Sequence, residues 1–160
     1  MDVAESRSAT WSLTVTLVAL GGSLAVVGIF LGWWQVAGYR ESEIFGRELV
    51  LEDTLAGTAN WTGILALAVG LVVGVLAIIS LLVESDDLRR ILPVVAAAGG
   101  LVILACAALG MLQSAEVARA NVDAADLSVE GSAGIGLFLS AAGGALAAVG
   151  GLVARRQPVG

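Results

Sequence analysis

Four runs of about 20 residues without a single charged side chain dominate this chain. They cover residues 12–32, 61–83, 91–113 and 132–153, which we call spans 1 to 4. A helix of about 20 apolar residues is long enough to cross the hydrocarbon layer of a bilayer. The chain is 58% hydrophobic and 14% charged, whereas soluble domains carry about 25% charged residues. The sequence therefore predicts one all-α integral membrane domain, a bundle of four transmembrane helices.

The arginines predict how this bundle is oriented. Five of the eight basic residues lie in the segment before span 1, the short inner loop 84–90 and the tail 154–160: Arg7, Arg89, Arg90, Arg155 and Arg156. The other three lie in the two longer loops: Arg40, Arg47 and Arg119. Because positive charge next to a span favours the cytoplasmic side, we expect a multi-pass protein of the cell membrane with both termini in the cytoplasm. Span 1 is too long for a typical signal peptide, and its leader is mixed in charge rather than basic, so we expect it to remain uncleaved.

The tryptophans lie near the predicted membrane boundaries. Trp11 precedes span 1, Trp33 and Trp34 follow it, and Trp61 begins span 2. Indole rings are enriched at the headgroup level of membranes. We expect Trp11 to anchor the inner boundary and the other three to anchor the outer one.

Small residues recur at four-residue spacing in every span. Since four residues advance about 400° around a helix, each set lies along one face, and small residues let helices approach closely in lipid. The candidate contact residues are Gly28, Gly32, Gly70, Gly74, Gly136, Ser140, Gly144 and Ala148. Two interpretations stay open. The stripes pack inside a single bundle, or the span 4 stripe is a lateral interface with another subunit.

The first outer loop, residues 33–60, is too long to be a simple connector. Its segment "EIFGRELVL" predicts a β-hairpin with the turn around Gly46 and Arg47, lying over the outer helix ends. Ile44, Phe45, Leu49 and Leu51 are candidates to pack onto those ends. A partner-binding surface is expected at Tyr39, Phe45, Glu48 and Leu49.

The second outer loop, residues 114–131, begins with good helix formers, so span 3 is expected to continue as helix through Ala118. Its "LSV" is a candidate strand beside the first-loop hairpin. Pro93, near the start of span 3, either belongs to a first helical turn or lies inside a helix that begins near Asp86. Asn60, Trp61 and Thr62 form a glycosylation sequon, but the asparagine would lie almost at the membrane surface.

Several chemistries are disfavoured by what the spans lack. They contain no Asp, Glu, Lys, Arg or His, whereas proton-coupled transporters place ionisable groups there. The chain has no histidine for a haem ligand, and Cys106 has no second cysteine for thiol redox chemistry. The acidic residues of the outer loops match no calcium-loop spacing and are interpreted as a solvated surface. We expect no enzymatic activity, no cofactor, no metal site and no nucleic-acid partner.

The order of these segments resembles the claudin-type four-helix membrane proteins. The resemblance covers the whole chain as topology: cytoplasmic termini, a long first outer loop with Trp33 and Trp34 near its start, a short inner loop and glycine-rich spans. The two loop cysteines of that family are missing. Uncharacterised prokaryotic four-span proteins share the same plan and a glycine-rich last span like "GIGLFLSAAGGALAAVGG". The resemblance implies a small β-sheet from the first outer loop capping the bundle, and lateral assembly or a role as a partner subunit.

The sequence thus favours a non-enzymatic four-span protein that acts as a structural or accessory subunit through its outer loops and lateral helix contacts. Its expected surroundings are the lipid bilayer and either a membrane-protein partner or further copies of itself. The alternative is a small channel or transporter formed by an oligomer.

Overall fold

The computed structural model describes residues 3–42, 46–83, 85–121 and 127–155. Their elements, in chain order, are α1 (Val3–Phe30), β1 (Trp34–Ser42), β2 (Gly46–Leu55), a 3-10 turn (Gly57–Ala59), α2 (Trp61–Leu82), α3 (Asp86–Leu112), α4 (Ser114–Asn121), β3 (Ser128–Ala133) and α5 (Ile135–Arg155). The chain is mostly helical, with one small sheet formed by both long loops. We call the end of the bundle that carries this sheet the sheet end.

Four helices, α1, α2, α3 and α5, form the bundle. Each contains a stretch long and apolar enough to cross a membrane: Trp11–Phe30, Trp61–Leu82, Asp86–Leu112 and Ile135–Arg155. Helix α5 packs against α1 and α3, and α2 packs against the same two helices. Large aliphatic and aromatic side chains cover much of the outer surface, and Leu82 and Leu112 are about 80% exposed. The prediction of four spanning-length helices with a small β-element is confirmed.

Close backbone contacts hold α5 between its two neighbours. A Cβ added at Gly28 of α1 would lie 2.5 Å from the carbonyl oxygen of Gly136 and 2.5 Å from Oγ of Ser140. On the other side, a Cβ at Gly144 would lie 2.9 Å from the carbonyl oxygen of Gly100 in α3. The stripe from Gly136 to Ala148 is buried within the chain. The alternative in which this stripe contacts another subunit is therefore wrong for this fold.

Helices α1 and α2 meet through a second glycine contact. A Cβ on Gly22 would lie 2.8 Å from Cα of Gly74, and one on Gly70 would lie 3.3 Å from Val26. Gly32, expected in the span 1 stripe, lies beyond the end of α1 with a φ of +83°. The prediction that Gly32 lies in a helical stripe is therefore wrong. Positive φ is a conformation that glycine adopts without steric cost, so Gly32 instead turns the chain from α1 towards β1.

The element boundaries differ from the expected spans at several places; α1, for example, already begins at Val3 instead of residue 12. Helix α5 begins at Ile135 instead of residue 132, because Ser132 and Ala133 pair in β3. Helix α3 begins at Asp86, so Pro93 lies inside it, which is the second alternative for this proline. The helical continuation of span 3 is present as a separate helix, α4, which follows a break at Gln113.

The sheet has the order β2-β1-β3, and both pairs are antiparallel. The expected strand at "LSV" is observed as β3, whose Ser128 pairs with Tyr39. Gly46 pairs with Ser42, and Arg47 pairs with Glu41. The prediction that the turn lies around Gly46 and Arg47 is therefore wrong. Both residues already belong to β2. The connection is residues 43–45, so the packing expected of Ile44 and Phe45 lies outside the described residues.

Candidate interaction surface at the sheet end

Trp33 joins three parts of the fold at the sheet end. Its backbone N–H donates to the carbonyl of Leu55 at the end of β2 (2.8 Å), and its carbonyl accepts from the N–H of Gly134 just before α5 (2.7 Å). Its indole Nε1 donates to Oγ of Ser140 in α5 (3.1 Å), and that hydroxyl donates to the carbonyl of Ala25 in α1 (3.1 Å). The sheet is therefore fastened to α1 and α5 by buried hydrogen bonds.

Trp34 makes a second attachment, to α3. Its Nε1 donates to the carbonyl of Gly110 (2.8 Å). Gly110 lies in the last turn of α3, where carbonyls have no helical N–H partner, so the indole supplies the missing donor. The rings of Trp33 and Trp34 contact each other edge to face, with centroids 5.5 Å apart.

Both of these tryptophans are fully buried, with no exposed area. The prediction that they anchor the outer membrane boundary is wrong, because such an anchor must present its ring to the headgroups. They form the core beneath the sheet, together with Ile29, Leu137 and Val117. Trp61 is 56% exposed and Trp11 is half-buried, so their predicted roles as boundary anchors stay predictions.

The sheet has one inward and one outward face because side chains alternate along a strand. Trp34 and Val36 of β1 point inward and are buried. Tyr39 and its pair Leu49 point to the opposite face, away from the bundle, and Leu49 is 50% exposed. The expectation that Leu49 packs onto the helix ends is wrong, whereas Leu51 is half-buried.

A β-bulge explains why Leu49 and Leu51 differ in burial although both were expected to point inward. Gly38 pairs with Leu51 and the next residue, Tyr39, pairs with Leu49. Val50 is thus an extra residue on β2, and Leu49 moves to the opposite face from Leu51. A regular hydrophobic count along "ELVLE" cannot show this inserted residue.

Arg47 ties the three strands together across the outward face. Its guanidinium forms an ion pair with Glu130 of β3 and lies over the ring of Tyr39, 3.9 Å from the ring centroid. The hydrogen bond to Glu130 is the main reason that the pKa of Arg47 is raised. The outward face thus combines one apolar side chain, one partly covered ring and a paired charge, surrounded by the exposed carboxylates of Glu41 and Glu52.

The residues expected to form one partner-binding surface do not all lie on the same face of the sheet. Tyr39 and Leu49 are direct neighbours on the outward face. Glu48 is exposed but pairs with Arg40, one position along the strands, and so points to the other face. Phe45 lies outside the described residues. Ser140 and Gly110 position this surface by accepting hydrogen bonds from Trp33 and Trp34. The sequence predicts Ser140 as a helix-contact residue and does not single out Gly110. Nothing in the sequence links either residue to the outer loops.

Asn60 has a structural role at the start of α2. Its side-chain oxygen accepts from the N–H of Trp61 (2.7 Å), and its amide nitrogen donates to Oε1 of Gln113 (3.0 Å). The amide that a glycan would modify is thus bound to the end of α3. Thr62, the third sequon residue, is fully buried, which disfavours glycosylation of this sequon.

Within the described ranges, no three His, Cys, Asp or Glu side chains come together in a way that could hold a metal ion. In comparisons with known proteins, the chain matches no family model and no curated protein. The geometry of the sheet end is therefore the basis for assigning a role.

Proposed function

We propose that the chain is an integral membrane protein, with the sheet outside the cell and both termini in the cytoplasm. Support comes from the four long apolar helices and their exposed aliphatic surfaces. In water such a surface would be an aggregation liability, whereas in lipid it is matched by the acyl chains. The arginine distribution supports the orientation, since positive charge next to spans favours the cytoplasmic side.

In this proposal the protein acts without enzymatic activity, as a structural or accessory subunit that binds a partner through the outward face of its sheet. The observation that carries this is the exposed Leu49 beside Tyr39, on strands whose other face is fastened to α1, α3 and α5. An aromatic–aliphatic pair on a rigid element is suited to an interface, because little side-chain freedom is lost on binding. The resemblance of the segment order to claudin-type proteins supports the same role.

The test uses one variant on each face of β2. The full-length chain is purified from its native membranes in mild detergent, and co-purifying proteins are identified and quantified. Leu49→Thr, which keeps a strand-forming side chain, is expected to reduce the amount of bound partner by about tenfold, since it loses about 1.4 kcal/mol of the free energy gained by burying the leucine. Glu48→Gln, the matched control on the opposite face, is expected to retain it. Equal retention in both variants would overturn the assignment of this face.

An oligomeric channel or transporter is the competing role. The glycine contacts at Gly28 and Gly144 bring α5 directly against α1 and α3, so a pore would have to lie between copies of the chain. Reproducible flux of ions or solute through liposomes that contain the purified chain alone would replace the accessory role.

A further inference from the structure

At the end of the bundle opposite the sheet, a cleft of about 220 Å³ opens between α1, α2 and α3. Its position follows from the chain order: Trp11 and Ser12 begin the apolar part of α1, Ser80 lies in the last turn of α2, and Arg89 lies in the first turns of α3. These are the points where the apolar stretches begin or end. If the helices span a membrane as proposed above, the cleft lies at the boundary between headgroups and acyl chains.

The lining combines hydrogen-bond donors with an aromatic wall. The guanidinium of Arg89 lies beside the indole of Trp11, 5.8 Å from the ring centroid. Among the described residues, no carboxylate lies within ion-pair distance of Arg89, and Asp86 and Asp87 do not line the cleft. The donors of this guanidinium therefore have no competing acceptor among the described carboxylates.

Hydroxyl groups lie around the same space. Ser85 precedes α3, but its side chain makes no capping hydrogen bond to that helix. Ser80 also lines the cleft, but its hydroxyl already donates to the carbonyl of Leu76 (2.8 Å). Ser12 is exposed at the rim. Next to these groups, Leu81 and Val83 are about half exposed and continue the apolar outer surface of α2.

We propose that this cleft binds the phosphate group of a membrane phospholipid. Arg89 would donate to the phosphate oxygens, since a guanidinium fork matches phosphate geometry. The hydroxyls of Ser12 and Ser85 would donate to the same oxygens, and Trp11 would cover the glycerol region. The acyl chains would lie along the exposed aliphatic side chains of α2. An arginine facing lipid near a helix end, without a carboxylate partner among the described residues, is well placed for this contact.

The test measures binding of short-chain dihexanoyl phosphatidylglycerol to the full-length chain, delipidated in mild detergent, by calorimetry. The wild type is expected to bind saturably. Arg89→Gln is expected to bind about tenfold more weakly, because it loses charge-assisted hydrogen bonds. Arg90→Gln removes the same charge from the neighbouring residue, which does not line the cleft, and is expected to bind like the wild type. Equal loss in both variants, or loss in neither, would overturn the site.

Two further arms define the ligand and control for folding. Ser12→Leu, which obstructs the rim of the cleft while keeping Arg89, is expected to weaken binding with an unchanged unfolding temperature in the absence of lipid. Unchanged lipid binding by this variant would count against the cleft. Inorganic phosphate is expected to compete poorly. If it competes as well as the lipid, the site binds free phosphate and the lipid assignment is overturned.

This inference rests on the proposed membrane insertion, and an alkaline wash of native membranes separates the two. If the wash releases the chain, the proposed function and the lipid site both fail. If the chain stays in the membrane but binding does not depend on Arg89, the lipid site alone fails.

Discussion

Trp33 and Trp34 are adjacent in the chain, yet their indole rings donate to different helices, α5 and α3. Their position next to span 1 predicts both at the membrane boundary, because an indole suits the headgroup level. The same ring also suits a buried site where its N–H finds an acceptor. Residue type and position do not separate these two environments. The deciding contacts come from Ser140 and Gly110, which are more than 70 residues away in the chain.

Replacing Trp34 tests the cap that it provides on α3. In Trp34→Phe, the buried carbonyl of Gly110 loses its donor, which is expected to lower the free energy of unfolding by about 1–3 kcal/mol. Denaturant unfolding in detergent measures this. Trp61→Phe is the matched control, because Trp61 is 56% exposed, and it is expected to be near neutral. A loss in the control as large as that in Trp34→Phe would contradict the role of this hydrogen bond.

Two of the predicted contact glycines differ in how closely the neighbouring helix approaches them. The spacing predicted that Gly28 and Gly74 both lie in helix contacts, but it does not give the distance to the neighbouring helix. In the structure, a Cβ on Gly28 would lie 2.5 Å from the carbonyl oxygen of Gly136, whereas one on Gly74 would meet nothing closer than 3.9 Å. The two positions therefore predict opposite effects of the same substitution.

Gly28→Ala is expected to destabilise the bundle by about 1–3 kcal/mol, because α1 and α5 must move apart. Gly74→Ala is expected to be neutral or to stabilise by about 0.5–1 kcal/mol, because alanine is the better helix former. Thermal unfolding of both variants in one detergent provides the measurement. A stabilised Gly28→Ala variant would show that this contact is looser than described.

The hairpin and the third strand are predictable from turn residues and β-branched runs, whereas the pairing register of the strands is not. Gly46 suggested a turn centre, but it lies just after the connection with a φ of +71°, a common place for glycine in short hairpin loops. The bulge then moves Leu49 to the outward face. Both features depend on pairing between strands, which a hydrophobic count along a single strand does not contain.

Strand β3 and helix α4 approach each other closely at Gly131. A Cβ on Gly131 would overlap the carbonyl of Ser114 and would lie 2.8 Å from Cβ of Ala118. Gly131→Ala is therefore expected to push β3 away from α4 and to increase amide hydrogen exchange in both elements. Ser132→Ala, on the exposed neighbouring residue, is the control and should leave exchange unchanged. Equal exchange in wild type and Gly131→Ala would show that α4 does not depend on this close approach.

The charge-free runs predict the number of long helices in the bundle, because a span needs about 20 apolar residues whatever its neighbours are. The pairing of these helices did not follow, since small residues at four-residue spacing occur in all four spans. The structure places α5 between α1 and α3. Helix α5 has the most glycines of the four long helices, and these let both neighbours approach it closely. Any lateral association would therefore have to use another surface, such as the aliphatic outer face of α2.

The orientation of the bundle in the membrane can be tested by cysteine labelling. In a background with Cys106→Ala, single cysteines are introduced at the exposed positions Ser128 of the sheet and Asp87 of α3. Since the arginine count predicts cytoplasmic termini, a membrane-impermeant maleimide should label Ser128→Cys in intact cells and label Asp87→Cys after permeabilisation alone. The opposite pattern would invert the bundle and place the sheet in the cytoplasm. Partner binding through Leu49 would then take place on that side, while the contacts that fasten the sheet would be unchanged.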